Sequence, residues 1–285
     1  MKKKKRNIFV RFFQAIGRGI KNFFLYLFYL ALYIAVMPLT RSKIRGKENV
    51  NPNDEARVFV ANHYEIYGPV IMFTRFPFKF RPWVIDKIMD PKTVEEQMAL
   101  GVYNSNNFQK FPKWIKVLAV KAVRSLMIFT MQHAKAISVS RENIRANFKT
   151  MEESVETLNK GTAILIFPEL SYVKEGVGEF QTGFEHLGKF YYQKTGKKIS
   201  FYPVFVSQFN KEVYIEKPII YNPDNNSMEE KQKIVTYLHD SMVNLYKTKE
   251  VPKREEFEKK QSEKLARKNK KKNKKNKEEN TKESI

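Results

Sequence analysis

The sequence predicts an α/β fold: a mixed sheet flanked by helices, with an N-terminal membrane-associated helical segment. Three observations predict it. Short apolar runs rich in β-branched and aromatic residues alternate along the middle of the chain with stretches of helical periodicity, the pattern of helices packed on a sheet. Two of those runs, Val58-Phe-Val60 and Ala163-Ile-Leu-Ile-Phe167, contain no polar residue, as expected of strands buried on both faces. Ahead of them all, Phe23 to Leu39 is a run of 17 residues without a charge.

The N-terminal elements read as a membrane anchor. Met1 to Arg6 holds five consecutive basic residues, and the stretch after it sets Phe9, Phe12, Phe13 and Ile16 against Arg11, Gln14 and Arg18. The uncharged run that follows sits at the lower limit of the roughly 17 to 25 residues that span a bilayer. Arg41, Lys43, Arg45 and Lys47 make its second flank basic too, so charge gives no crossing direction. A helix lying in the cytoplasmic leaflet accounts for basic flanks on both sides better than a span does. A cleaved signal peptide does not fit, because the run is too long and no small-residue cleavage site follows it. These features place the chain at the cytoplasmic face of the cell membrane.

Next, Val58 to Val60 reads as a buried strand, and Pro69 fits the first turn of a helix after Gly68. Asn62 and His63 then stand at the C-terminal edge of a strand, just before a helix, where α/β sheets carry ligand sites. A histidine there is either a general base near neutral pH or a polar loop residue satisfied by backbone groups. Phe80 to Ile85 is a second strand, and residues 91 to 114 read as a loop or cap insertion. Lys116 to His133 has helical periodicity, Ala136 to Arg141 is a short strand, and Glu142 to Asn159 is an amphipathic helix with Ile144, Phe148, Met151, Val155 and Leu158 on one face. Gly161 suits its C-terminus. The run 162–167 is the clearest buried strand. Strands at Ser200 to Val206 and Glu212 to Glu216, with a helix from Glu229 to Tyr246, close the domain. The chain divides into an anchoring segment (1–46), an α/β domain (47–250) and a basic tail (251–285), disordered or a solvated helix.

Composition narrows the chemistry. With 42% hydrophobic and 14% aromatic residues, 285 residues suffice for a sizeable core. The absence of cysteine excludes disulfides, thiol nucleophiles and thiolate metal sites. The net charge is +23, but residues 1–47 and 253–285 supply 19 of it. A nucleic-acid-binding domain would carry its basic face on the folded body, which makes nucleic acid an unlikely partner.

Five blocks in order carry a resemblance: Asn62-His63; Ser140-Arg141; Ile166-Phe167-Pro168-Glu169; Phe180-x-x-Gly183; and Tyr202-Pro203-Val204. Over about residues 45 to 246 this order resembles the glycerolipid acyltransferases related to 1-acylglycerol-3-phosphate acyltransferase (PlsC-like), whose membrane-anchoring helices the apolar N-terminal segment also fits. The resemblance implies that His63 deprotonates a glycerol hydroxyl as it attacks an acyl thioester, of coenzyme A or acyl carrier protein, with no further cofactor and no metal. It implies an acceptor site built from Asn62, Arg141, Phe167, Pro168, Glu169, Ser171 and Gly183, Arg141 being a phosphate ligand. The implied partners are a lysophospholipid acceptor and anionic membrane lipids.

The blocks also depart from the family. Where it has an aspartate that orients the histidine, this chain has Gly68, and loss of such a carboxylate from a comparable triad costs roughly four orders of magnitude in turnover. Glu65, two residues after His63, is the nearest carboxylate able to substitute, unless one comes from elsewhere in the fold. Tyr172 stands in place of the third block's arginine, and Gln181 in place of a frequent lysine, so the site has lost cations at two positions. The sequence expectation is an acyltransferase of phospholipid biosynthesis, the alternative a relative that binds lipid without transferring acyl groups.

Overall fold

The computed structural model describes residues 40–64, 67–104, 111–140, 144–170, 173 and 175–282, together with positions 23, 27, 30, 31 and 34. Most of the expected anchor therefore lies outside the described residues. Among these, no helix is long and apolar enough to cross a membrane.

Among the described residues, eight strands form one mixed sheet: β1 (Lys43–Arg45), β2 (Arg57–Ala61), β3 (Phe80–Ile85), β4 (Ile137–Val139), β5 (Ala163–Ile166), β6 (Ser200–Ser207), β7 (Glu212–Ile215) and β8 (Ile219–Ile220). Their order is β1-β7-β6-β2-β5-β3-β4, with β8 also on β6. Of these strand pairs, β6–β7 and β6–β8 are antiparallel and the others parallel.

The central strands are covered on both sides, and their alternation sorts residues between two cores. Phe59, Ala61 and Leu165 face helix α1 (Tyr67–Arg75) through Ile71 and Met72. Val58, Val60, Ile164 and Ile166 face α4 (Ile144–Asn159), α5 (His186–Thr195) and α6 (Ser227–Leu245) through Leu158, Leu187, Tyr191, Ile234 and Leu238. The connection leaving β2 thus packs on one face and the helix after β5 on the other. Neighbouring parallel strands whose connections part in this way leave a crevice at their C-terminal ends.

Two segments differ from the sequence expectation, and the tail takes one of the two forms expected of it. Lys43–Arg45, assigned to the anchoring segment, is an edge strand paired with Glu212–Tyr214, and Arg45 bonds Glu212 through its Nη2 (2.8 Å), so the α/β domain begins before residue 47. Residues 91–104, expected as loop, form helix α2 (Pro91–Asn104), which packs against α3 (Lys113–His133). Its apolar residues Val94, Met98, Leu100 and Val102 are interspersed with Pro, Gly and charges, and its partner helix supplies the packing. The Lys-rich tail is helix α7 (Val251–Lys282), joined to α6 by a π-helical turn at Tyr246–Glu250.

Candidate active site

The site is built where β2 and β5 end. Asn62, the first residue past β2, is buried, and its amide is tied to β6: Nδ2 donates to the Val206 carbonyl (3.2 Å) while Oδ1 accepts from the Val206 N–H (2.7 Å). The side chain thereby continues the strand pairing one residue beyond the backbone, and it points to β6 rather than into the site.

His63 follows with its side chain exposed, in a turn closed by Tyr64 at φ 41. Its backbone N–H donates to Glu169 Oε2 (2.7 Å), and Glu169 Oε1 accepts from the Gly178 N–H (3.1 Å). Glu169 therefore clamps the β2 turn to the loop after β5. That loop doubles back: Leu170 N–H bonds the Glu179 carbonyl (3.0 Å) and Gln181 N–H the Pro168 carbonyl (2.7 Å).

Gly68 explains the departure at its position. Its N–H donates to the His63 carbonyl (3.2 Å), and a Cβ there would lie 2.4 Å from that carbonyl oxygen and 2.6 Å from that of Asn62. The first turn of α1 is packed onto the backbone of the histidine turn, leaving no room for any side chain. The close backbone approach therefore excludes a carboxylate side chain at this position.

Phe167 links the histidine to a cavity. Its ring stands edge-on to the His63 ring at 5.3 Å and forms part of the wall of an open cavity of about 560 Å³ at the ends of β3, β4 and β5. Trp83, Met151, Phe184 and the T-shaped pair Phe148–Phe190 make that wall mainly apolar. Phe148, on the apolar face of α4, lines the cavity. Pro168 and Gly183 line it too, and Gly183 has φ 118, a conformation that favours glycine. Polar groups enter through Ser140, Asn147, Gln181, Thr182 and His186. Gln181 and His186 fall near the quoted motifs. Asn147 and Thr182 gave no signal of their own, since an isolated amide or hydroxyl acquires meaning only from where the chain folds.

Glu65, Arg141 and Ser171, expected as orienter and acceptor ligands, lie outside the described residues, as does Tyr172, read as standing in place of an arginine; Ser140, which precedes Arg141, lines the cavity. Among the described residues no three His, Asp or Glu side chains are grouped to hold a metal ion.

On the β6 side of the crevice lies Glu250, fully buried. It accepts a short hydrogen bond from Ser207 Oγ and bonds from the Gln208 and Phe209 N–H groups (3.2 and 3.4 Å). Burial holds its carboxyl above the ordinary carboxylate range against those bonds. Tyr67, at the start of α1, is likewise raised by burial.

Chemically the arrangement presents an exposed imidazole, held by a clamped backbone, beside an apolar cavity with a few polar groups. No protein-family model matches the chain, and no curated protein is similar to it. Among solved structures it is similar to the 1-acyl-sn-glycerophosphate (LPA) acyltransferase PlsC from Thermotoga maritima, with a TM-score of 0.44 and 14% identity over 75% of this chain and 76% of that one. At that distance the likeness says nothing of substrate or catalytic residues.

Proposed function

We propose that the protein is a membrane-associated acyltransferase that passes a fatty acyl group from a thioester of coenzyme A or acyl carrier protein to a lysophospholipid or related glycerolipid, at the cytoplasmic face of the membrane. His63 is the general base. The observation that carries the reading is the exposed imidazole at the β2 edge, 5.3 Å ring to ring from Phe167 and so at the wall of an apolar cavity suited to a lipid chain. Proton transfer and positioning are what such a reaction asks of the protein, and the Glu169 clamp fixes the turn from which the base acts.

The test is transfer of labelled acyl groups, from each donor, to a panel of lysolipids in anionic vesicles. Wild type transfers, and His63→Ala lowers the rate by about 10²–10⁴-fold, the usual contribution of a general base. Glu65→Gln in the same assay shows whether Glu65 orients the base. No transfer to any acceptor by folded wild type replaces this reading with a second, a lipid-binding relative without catalysis. Gly68 favours that second reading, since its packing bars an orienting carboxylate from that position.

A further inference from the structure

The hairpin of α2 and α3 is inserted between β3 and β4, and α3 is apolar without being buried. Thirteen of its 21 residues are apolar, yet Val120 is its only buried one, where a helix of such composition in a soluble domain hides a whole stripe. Trp114 and Leu118 are 67% and 61% exposed, and Val117 is exposed beside them. With Lys121 they fall at i, i+3, i+4 and i+7, one continuous stripe along the helix. Phe111, just before the helix, is exposed as well.

The charges around this stripe have one sign. Residues 113–133 contain Lys113, Lys116, Lys121 and Arg124 and no acid. The acids of residues 91–112 are Glu95 and Glu96, and Glu95 is paired with Arg124. The root of the hairpin is the cavity itself: Ile85 ends β3 just before the hairpin, Val139 ends β4 just after it, and both line the wall.

We propose, from the exposed apolar stripe and the acid-free basic charges of α3 itself, that this hairpin is a bilayer-contacting surface. Trp114, Val117 and Leu118 enter the interface of an anionic membrane, Lys113 and Lys121 meet its headgroups, and lipid passes from there to the cavity at the root. Aromatic and aliphatic residues flanked by lysines are what an interfacial helix requires, and the basic flanks complement anionic headgroups. A second copy fits less well, because two-fold pairing of the stripe gathers its lysines into one interface with no acid on the helix to offset them. The role for the cavity rests on the proposed lipid chemistry. The membrane contact stands apart from it.

The chain has two tryptophans, so the emission lost in Trp114→Phe isolates Trp114 in the full-length protein. With phosphatidylglycerol vesicles that component shifts to the blue and is quenched by brominated acyl chains, and Leu118→Glu, folded by circular dichroism, binds the vesicles at least tenfold more weakly. Quenching of Trp114 without acyl transfer supports this inference while defeating the proposed activity. Protein that sediments with vesicles while Trp114 stays unshifted and unquenched overturns it, as does protein that does not bind. A dimer that Leu118→Glu splits, with no lipid quenching, assigns the stripe to a second copy and also overturns it.

Discussion

Gly68 and Asn62 show how two residues with no chemistry of their own place a third. Asn62 anchors the turn to β6 through both ends of its amide, Gly68 lets α1 close onto the turn from the other side, and His63 emerges between them. Asn62→Leu leaves the Val206 N–H and carbonyl buried without their partner, at a cost of about 1–3 kcal/mol. Chemical denaturation measures it, and a variant as stable as wild type contradicts the anchoring role. Gly68→Ala drives a methyl into two carbonyl oxygens and is expected to lose about 1–3 kcal/mol by overpacking. Gly68→Asp adds a carboxylate five residues after His63 but meets the same oxygens, so in the acyl-transfer assay its rate should not exceed that of wild type; a faster variant would show that the backbone yields. His63, Phe167 and Glu169, quoted from the sequence for their order along the chain, stand beside one another where β2 and β5 end. That Glu169 grips a backbone N–H, and that Gly68 touches two carbonyls, is long-range packing with no local signature.

At the scale of elements, the strands β2, β3, β5, β6 and β7 could be read because they are short and rich in β-branched and aromatic residues. The edge strand β1 is three residues with exposed basic ends, so pairing with β7 and not its own pattern makes it a strand. Helix α2 mixes Pro, Gly and charges with its apolar residues and is stabilised by packing on α3. Glu250 belongs with these, since it sits in a π-helical turn and joins the C-terminal helices to the β6–β7 connection. Its folded pKa is raised by burial, with Arg254 opposing from one turn on and Tyr67 nearby. A group raised above its unfolded value stabilises most below that unfolded pKa, and the contribution is lost as pH rises through the folded one. Wild type should therefore lose stability relative to Glu250→Gln as pH rises from about 4.5 through the raised pKa toward neutrality, given the ordinary glutamate value. Melting temperatures of the two proteins across that range decide it, and a constant difference would mean that Glu250 does not titrate there.

For the whole molecule, what matters is where the charge sits relative to the body. The part of the chain between the ends is nearly balanced, while helix α7 leaves the domain after Arg254 bonds Glu175 and Glu258 and after Phe257 packs on Phe209 (5.4 Å between rings). Beyond that point residues 259–285 hold twelve basic and four acidic side chains, and the last apolar residue before Ile285 is Ala266. Such a helix has no apolar face to insert, so any hold on a membrane comes from charge alone, unlike the stripe on α3. A chain ending at Glu258 keeps the Phe257 and Arg254 contacts and should fold with unchanged stability. Each Lys or Arg near an anionic surface is worth about 1 kcal/mol, and 1.4 kcal/mol is a factor of ten, so the shortened chain should bind phosphatidylglycerol vesicles at least about tenfold more weakly in low salt. Near 1 M salt the Debye length falls to about 3 Å, and the two proteins should then bind alike, through apolar contacts that salt does not screen. Vesicle sedimentation of both chains at the two salt concentrations separates the contributions. Equal binding in low salt would mean that the helix projects away from the surface and that its charge serves another partner.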